Sequence, residues 1–298
     1  MTDPAKRPIG PSAELLARIE GLTFQARTVA EGVLAGLHKS PHHGRSVEFA
    51  EHKEYSPGDD VKHIDWKAYG RRDRYYVRRF EDETNLSAYL VVDVSASMEY
   101  GEPLAKVEYA KLLAAALATL LVRQRDQAGL LCFSSDVRVD LPPRASAAHL
   151  GEMLGALASV ETGGGTALDA ALDAVAARAR RPDVVIVISD LLACGETAVD
   201  KLRLLGARRC DVAVLHVLHP DELRLPFEGA WLFEDPEDGR RVLANADAVR
   251  HAYRIEVAAF QERLRNTFAE AGLEYRLADT GAPAQELLGA LLSDRERR

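Results

Sequence analysis

The run Leu90-Val91-Val92-Asp93-Val94-Ser95-Ala96-Ser97-Met98 constrains this chain more than any other stretch. An apolar β-type segment ends in an aspartate, and serines follow it at alternate positions. The spacing D-x-S-x-S sets one carboxylate and two hydroxyls on a single turn at the carboxyl end of a strand. In open α/β sheets that is where ligands bind. The donors are all hard oxygens, the set that suits magnesium or manganese. A site of this kind needs further oxygens from neighbouring strand-to-helix loops, and the sequence offers them.

From Leu86 onward strand-like and helix-like segments alternate. Strands are predicted at Ser87–Val94, Ala128–Phe133, Val137–Leu141, Val184–Ser189, Val212–Val217 and Glu274–Leu277. Helices are predicted near Leu104–Arg125, Ala147–Ser159, Ala167–Arg180, Thr197–Leu205 and Ala246–Ala271. Val184-Val185-Ile186-Val187-Ile188 is continuously apolar, as a central strand covered on both faces must be. The alternation predicts an α/β domain with a doubly wound, mostly parallel sheet and helices on both faces. Ser134-Ser135-Asp136 reads as a hairpin turn, which makes Val137–Leu141 an antiparallel edge strand. Pro226, Gly229, Pro236 and Gly239 punctuate a less regular stretch, in which Trp231-Leu232-Phe233 reads as a short inserted strand.

The expected organisation is a flexible tail over residues 1–12, an amino-terminal extension over 13–84, the α/β domain over 85–280, and a carboxyl-terminal helix or tail over 281–298. Leu15, Leu16, Ile19, Leu22, Val29, Val33 and Leu37 recur at helical spacing within Glu14–Leu37. The polar loop His38–Arg45 follows. Its crowded His38, His42 and His43 lack an acidic or cysteine ligand at motif spacing, so a flexible loop is expected there. The segment Arg45–Glu83 is dense in charge and aromatics, with a turn signal at Pro57-Gly58-Asp59-Asp60.

The bulk numbers narrow the function classes. At 298 residues the chain can bury a sizeable core. A net charge of −8 argues against general nucleic-acid binding. Cys132, Cys194 and Cys210 are widely separated and form no C-x-x-C pair, so neither a disulfide framework nor a zinc site is expected. Cys132 and Cys210 read as core thiols in a reducing compartment. No segment approaches the roughly 18 uninterrupted apolar residues of a membrane span, and Lys111–Val122 reads as a buried helix face. A cytoplasmic location is expected.

Two loops supply the missing oxygens of the candidate site. Thr162-Gly163-Gly164-Gly165-Thr166 precedes a helix, and its glycines let the backbone approach closely while leaving the Thr166 hydroxyl at the loop tip. Ile188-Ser189-Asp190-Leu191 ends the central strand in a second carboxylate. The predicted metal set is Asp93, Ser95, Ser97, Thr166 and Asp190. One coordination position stays open to an incoming carboxylate, with Gly163, Gly164, Gly165 and Leu191 expected to face the partner that brings it. Each residue has a plainer alternative. Ser95 and Ser97 fit turn and cap roles, Thr166 with Asp169 fits a capping box, and Asp190 fits a helix N-cap.

DVSAS, the GGGT loop and the SDL strand end resemble the metal-site motifs of von Willebrand factor A-type domains. Upstream, Gly44-Arg45-Ser46-Val47-Glu48-Phe49, Tyr55–Asp60, Ile64-Asp65-Trp66 and Arg78–Glu83 lead into DVSAS in an order that resembles the bacterial family called "domain of unknown function 58". The resemblance covers roughly residues 40–280. It implies a divalent cation, most simply magnesium, with manganese or calcium as alternatives. It also implies a partner or adaptor of MoxR-type AAA+ ATPases in chaperone-like assemblies, with a client or ATPase acid completing the coordination. The likeness is to a short soluble member without the amino-terminal membrane helices of many relatives. In this reading Asp59, Asp60, Asp65 and Trp66 fix the upstream segment, and Arg71, Arg72, Arg74, Arg78 and Arg79 form surface ion pairs with Glu81, Asp82 and Glu83.

The leading expectation is therefore a non-enzymatic binding module. The alternative is a metal-dependent phosphatase or phosphotransferase with Asp93 as nucleophile. Against it, Ser95 stands where a haloacid-dehalogenase-type enzyme has its second acid, and no lysine or general-base histidine lies in an obvious motif context. The triple glycine lacks the lysine of a P-loop and does not fit a dinucleotide fingerprint.

Overall fold

The structure is a computed structural model that describes residues 12–38, 52–54, 76–78 and 86–295. The chain divides into two compact units, Leu37–Asn85 and the remainder. In the smaller unit the described residues are strands β1 (His52–Glu54) and β2 (Tyr76–Arg78), paired antiparallel. The predicted loop histidines, the arginine cluster, and Asp59, Asp60, Asp65 and Trp66 fall outside the residues whose side chains are described.

The larger unit is built on a six-stranded sheet. Its strands are β3 (Ser87–Asp93), β4 (Gln127–Phe133), β5 (Val137–Arg144), β6 (Val184–Ser189), β7 (Asp211–Leu218) and β10 (Glu274–Asp279). They lie in the order β10-β7-β6-β3-β4-β5. All neighbours are parallel except β4 and β5, so the predicted hairpin edge is present. Pro142 and Pro143 extend β5 beyond its predicted end. An edge strand tolerates prolines because its outer N–H groups need no partner.

One sheet face carries Val91, Leu131, Phe133, Val185, Val187, Val212 and Val214. Against it pack α4 (Leu168–Ala176) through Leu168 and Leu172, α5 (Glu196–Ala207) through Leu202 and Leu205, and α7 (Ala246–Glu270) through Leu264 and Phe268. The alternate residues Leu90, Val92, Leu130, Cys132, Ile186 and Ile188 point to the other face, where side chains of period two must go. There α2 (Lys106–Arg123) crosses β3, β4, β6 and β7, flanked by α3 (Ala147–Ser159) and α8 (Ala284–Arg295). Its alanines at 110, 114, 115, 116 and 118 are buried and allow this close crossing. Helix α1 (Ala13–His38) belongs to this unit as far as Gly36. It buries Ala26, Val29, Ala30 and Val33 and pairs Glu31 with Arg123 of α2.

All six predicted sheet strands form, and β6 keeps its predicted bounds. Helix α4 is shorter than predicted, ending at Ala176. The short helix α6 (Pro220–Arg224) was not predicted. Trp231–Phe233 does lie in a strand, β8 (Ala230–Glu234), but its antiparallel partner β9 (Arg241–Asn245) was also not foreseen.

The strand order fixes the site. From β3 the chain steps to β4 and β5 on one side, then returns to β6, β7 and β10 on the other. The order reverses between β3 and β6, and the crevice at their carboxyl ends is where an open sheet takes a ligand. Asp93 ends β3, and Ser189 ends β6 with Asp190 next.

Candidate functional site

Asp93 is fully buried at the end of β3. Its Oδ1 accepts a hydrogen bond from the Ser95 amide at 2.9 Å, and its Oδ2 accepts from the Ser189 hydroxyl at 2.6 Å. The Oγ atoms of Ser95 and Ser97 lie 3.1 Å apart, and both side chains are buried. Ser95 precedes a 3₁₀ turn (Ala96–Glu99), yet its hydroxyl makes no cap. The turn is thus shaped by the backbone, and the two hydroxyls are left to face each other.

Asp190 is buried at the end of β6, and its charge acts on Asp93. Burial and Asp190's negative charge push the Asp93 carboxyl up to about 6, against the pull of the bonds from Ser189 and Ser95. Asp190 Oδ1 accepts from the Leu192 amide at 3.2 Å. It does not cap a helix, because the α5 N-cap is Gly195. Its Oδ2 meets Lys106 Nζ at 2.9 Å, and that ammonium also meets Glu222 Oε1 of α6 at 2.7 Å. The sequence reading found no lysine in the site's context, yet Lys106 stands in it. A lysine in the first turn of a helix reads as a surface residue until the fold brings β6 and α6 to it.

The GGGT loop is tied to the D-x-S-x-S turn by its backbone. The Gly163 amide donates to the Val94 carbonyl, and the Gly164 carbonyl accepts from the Ala96 amide, each at 3.0 Å. Gly163 and Gly164 have φ of +129° and +79°, conformations that an L side chain resists. The loop therefore joins the site, but the Thr166 hydroxyl does not bond to the other predicted ligands. It donates to Glu237 Oε1 at 2.8 Å. The capping box of Thr166 with Asp169 is not formed, since the α4 N-cap is Ala167 with no side-chain bond. Leu191, expected to face a partner, is instead 1% exposed in the core with φ of +57°, and the exposed leucine is Leu192. A left-handed leucine costs of order 1–3 kcal/mol of backbone strain.

Sequence reasoning also missed Ser189, which is fully buried. Besides holding Asp93, its hydroxyl accepts from the Leu191 amide at 3.0 Å. The signal lies in the S-D pair at the strand end. Among the described residues no three of His, Cys, Asp and Glu gather as a metal group. The gathered donors are two carboxylates and several hydroxyls, the oxygen chemistry a hard cation takes. Cys132 and Cys210 are buried as expected, although Cys210 falls one residue before β7.

The family described as protein of unknown function DUF58 matches residues 51–263. An uncharacterized protein of Mycobacterium tuberculosis is 30% identical over 289 residues, spanning 96% of this chain and 86% of that protein. An uncharacterized protein of Mycobacterium bovis matches to the same extent. Among solved structures, a conserved hypothetical protein BatB from Bacteroides thetaiotaomicron is 20% identical with a TM-score of 0.47, covering 72% of this chain and all of that one. An aerotolerance-related membrane protein from Bacteroides fragilis is 23% identical with a TM-score of 0.45, covering 68% and 96%. A von Willebrand factor type A protein from Catenulispora acidiphila is 13% identical with a TM-score of 0.35, covering 45% and 33%.

Proposed function

This chain belongs to the DUF58 family, and we propose that it serves there as a non-enzymatic protein-binding module with a metal-ion-dependent adhesion site. The observation that supports this reading is that the buried Asp93, Ser95 and Ser97 follow β3 and the buried Asp190 follows its parallel neighbour β6, at the point where the strand order reverses. The charge balance of the cluster supports it. Asp93 and Asp190 are both buried acids, and the buried ammonium paired with Asp190, that of Lys106, is shared with the partly exposed Glu222. A divalent cation would supply the further positive charge that buried acids need.

Asp93, Ser95, Ser97 and Asp190 would hold the ion, with Thr166 the further oxygen of the adjoining loop. Each oxygen of Asp93 spends one lone pair on a protein donor, so each keeps acceptor capacity. A bound magnesium would supply a Lewis-acid position for a carboxylate from outside the crevice. The family resemblance makes a MoxR-type AAA+ ATPase the first partner to test, and a cytoplasmic site of action goes with it. No described helix is long and apolar enough to cross a membrane.

The test is calorimetric titration of magnesium into the chelator-treated full chain, wild type and Asp93→Ala. Saturable binding by wild type alone is the expected result. Equal heats from both proteins would remove the site. A second reading, phosphoryl transfer from Asp93, gains from Lys106, the lysine it lacked in sequence. That lysine is 1% exposed and already bridges two carboxylates, which leaves it badly placed for a phosphate. Turnover of an aryl phosphate by wild type but not Asp93→Asn would reverse the preference.

A further inference from the structure

We infer that Glu237 is a ligand in cis for the adhesion site, so that the resting protein covers its own open position with the tip of the β8–β9 hairpin. The inference rests on the metal-site reading above and names how that site is regulated.

Three observations place Glu237 in this role. The first is its contact. Its Oε1 accepts from the hydroxyl of Thr166, the predicted metal ligand that bonds to none of the others. Its Oε2 sits beside Gly165, 3.9 Å from where a Cβ there would lie. A carboxylate thus stands at the tip of the glycine loop.

The second is the construction of the tip. The Asp235 carboxylate accepts from the Glu237 amide at 2.8 Å, and the Asp235 amide donates to the Arg240 carbonyl at 2.8 Å. The Gly239 amide donates to the Asp235 carbonyl at 2.9 Å, and its φ of +71° lets the chain reverse. These bonds hold Glu237 at the crown of a closed turn, not in a free loop.

The third is where the arm is anchored. At its foot the Gly229 amide donates to Asp247 Oδ2 at 2.7 Å, and the Ala246 amide donates to the Gly229 carbonyl at 2.8 Å. Between foot and tip, Trp231, Leu232, Val242 and Leu243 are all exposed. Phe227 packs against Trp231 and Phe233 on the base side of the arm, while the tip meets the glycine loop through one exposed hydrogen bond, so the tip is the part that can give way. A partner carboxylate would take its place.

Manganese and acetate test this on the full chain, with wild type, Glu237→Gln and Asp93→Ala compared by water-proton relaxation. Bound manganese in Glu237→Gln is expected to relax water faster than in wild type, by the equivalent of about one extra exchangeable water. Acetate should reverse that gain in the variant and change wild type little. Hydrogen exchange across residues 230–245 should be faster in Glu237→Gln. If wild type and Glu237→Gln bind manganese with the same relaxation and the same acetate response, the cis ligand is wrong and the metal site stands. If wild type binds no more manganese than Asp93→Ala, both readings fall.

Discussion

Lys106 Nζ lies 2.9 Å from Asp190 Oδ2, and both side chains are 1% exposed. The same ammonium reaches Glu222 at 2.7 Å, so a single buried cation joins the end of β6 to helix α6. Burial alone would lower the lysine's pKa, and the two carboxylates outweigh it and hold the group charged. The Glu222 carboxylate also accepts from the His219 amide at 2.7 Å, closing the capping box that starts α6. The crevice is thus coupled to the segment that follows β7.

Lys106→Met removes the cation and leaves the buried Asp190 carboxylate without its ion-pair partner. Breaking a buried pair from one side costs about 3–5 kcal/mol. The expected result in chelator is a loss of that size in urea unfolding. Added magnesium should recover part of it, because the ion would supply positive charge at Asp190. A Lys106→Met, Asp190→Asn double variant should lose less than the single, and its magnesium response should disappear. An exposed-lysine result, within about 0.5 kcal/mol of wild type, would show that the bridge is absent in solution.

Ser189→Ala tests the positioning of Asp93. The hydroxyl bonds to the Asp93 carboxylate and to the Leu191 amide inside a fully buried site. Its removal leaves both groups short of a partner, at about 1–3 kcal/mol. Loss of a bond that orients a metal ligand typically costs 10–100-fold in metal affinity, so weaker magnesium binding should accompany the lower stability. Ser189→Thr keeps the hydroxyl and should restore binding more than stability, since its extra methyl enters packed space.

The elements of the sheet were legible because each strand is an apolar run bounded by polar turns, and β6 declares its two covered faces outright. The acids at the strand ends were legible for the same reason. The polar contacts across the fold were not. Lys106 meets Asp190 across 84 positions, and Thr166 meets Glu237 across 71. Neither lysine nor glutamate carries a local signal, since both sit in charged stretches that fit an exposed surface equally well. Strand β9 hid because Val242 and Leu243 stand side by side in solvent, so no alternation of period two marks it.

The cysteines make a prediction that separates core from site. Burial pushes the Cys132 thiol up to about 12 and Cys194 up to about 11, and raises Cys210 as well. The thiolate is the reactive form, so at pH 8 the native protein should react with an aromatic disulfide reagent far more slowly than a free thiol. Three thiols should appear on unfolding. Fast native modification of Cys132 would contradict its place in β4, facing α2.

Gly164 and Gly151 give opposite outcomes for the same substitution. At Gly164 the backbone is left-handed, and a Cβ would stand 3.1 Å from Ser135 Oγ. Gly164→Ala therefore meets both backbone strain and a close contact, for roughly 1–3 kcal/mol. The Gly164 carbonyl also accepts from the Ala96 amide in the D-x-S-x-S turn. A displaced loop must pull on that turn, so magnesium affinity should fall together with stability. Gly151 lies inside helix α3 with nothing within 4 Å of a new Cβ. There Gly151→Ala should stabilise by up to about 1 kcal/mol and leave magnesium binding unchanged. Urea unfolding gives the two stabilities and calorimetry the two affinities. A Gly164→Ala protein that binds magnesium as tightly as wild type would show that the glycine loop does not shape the site.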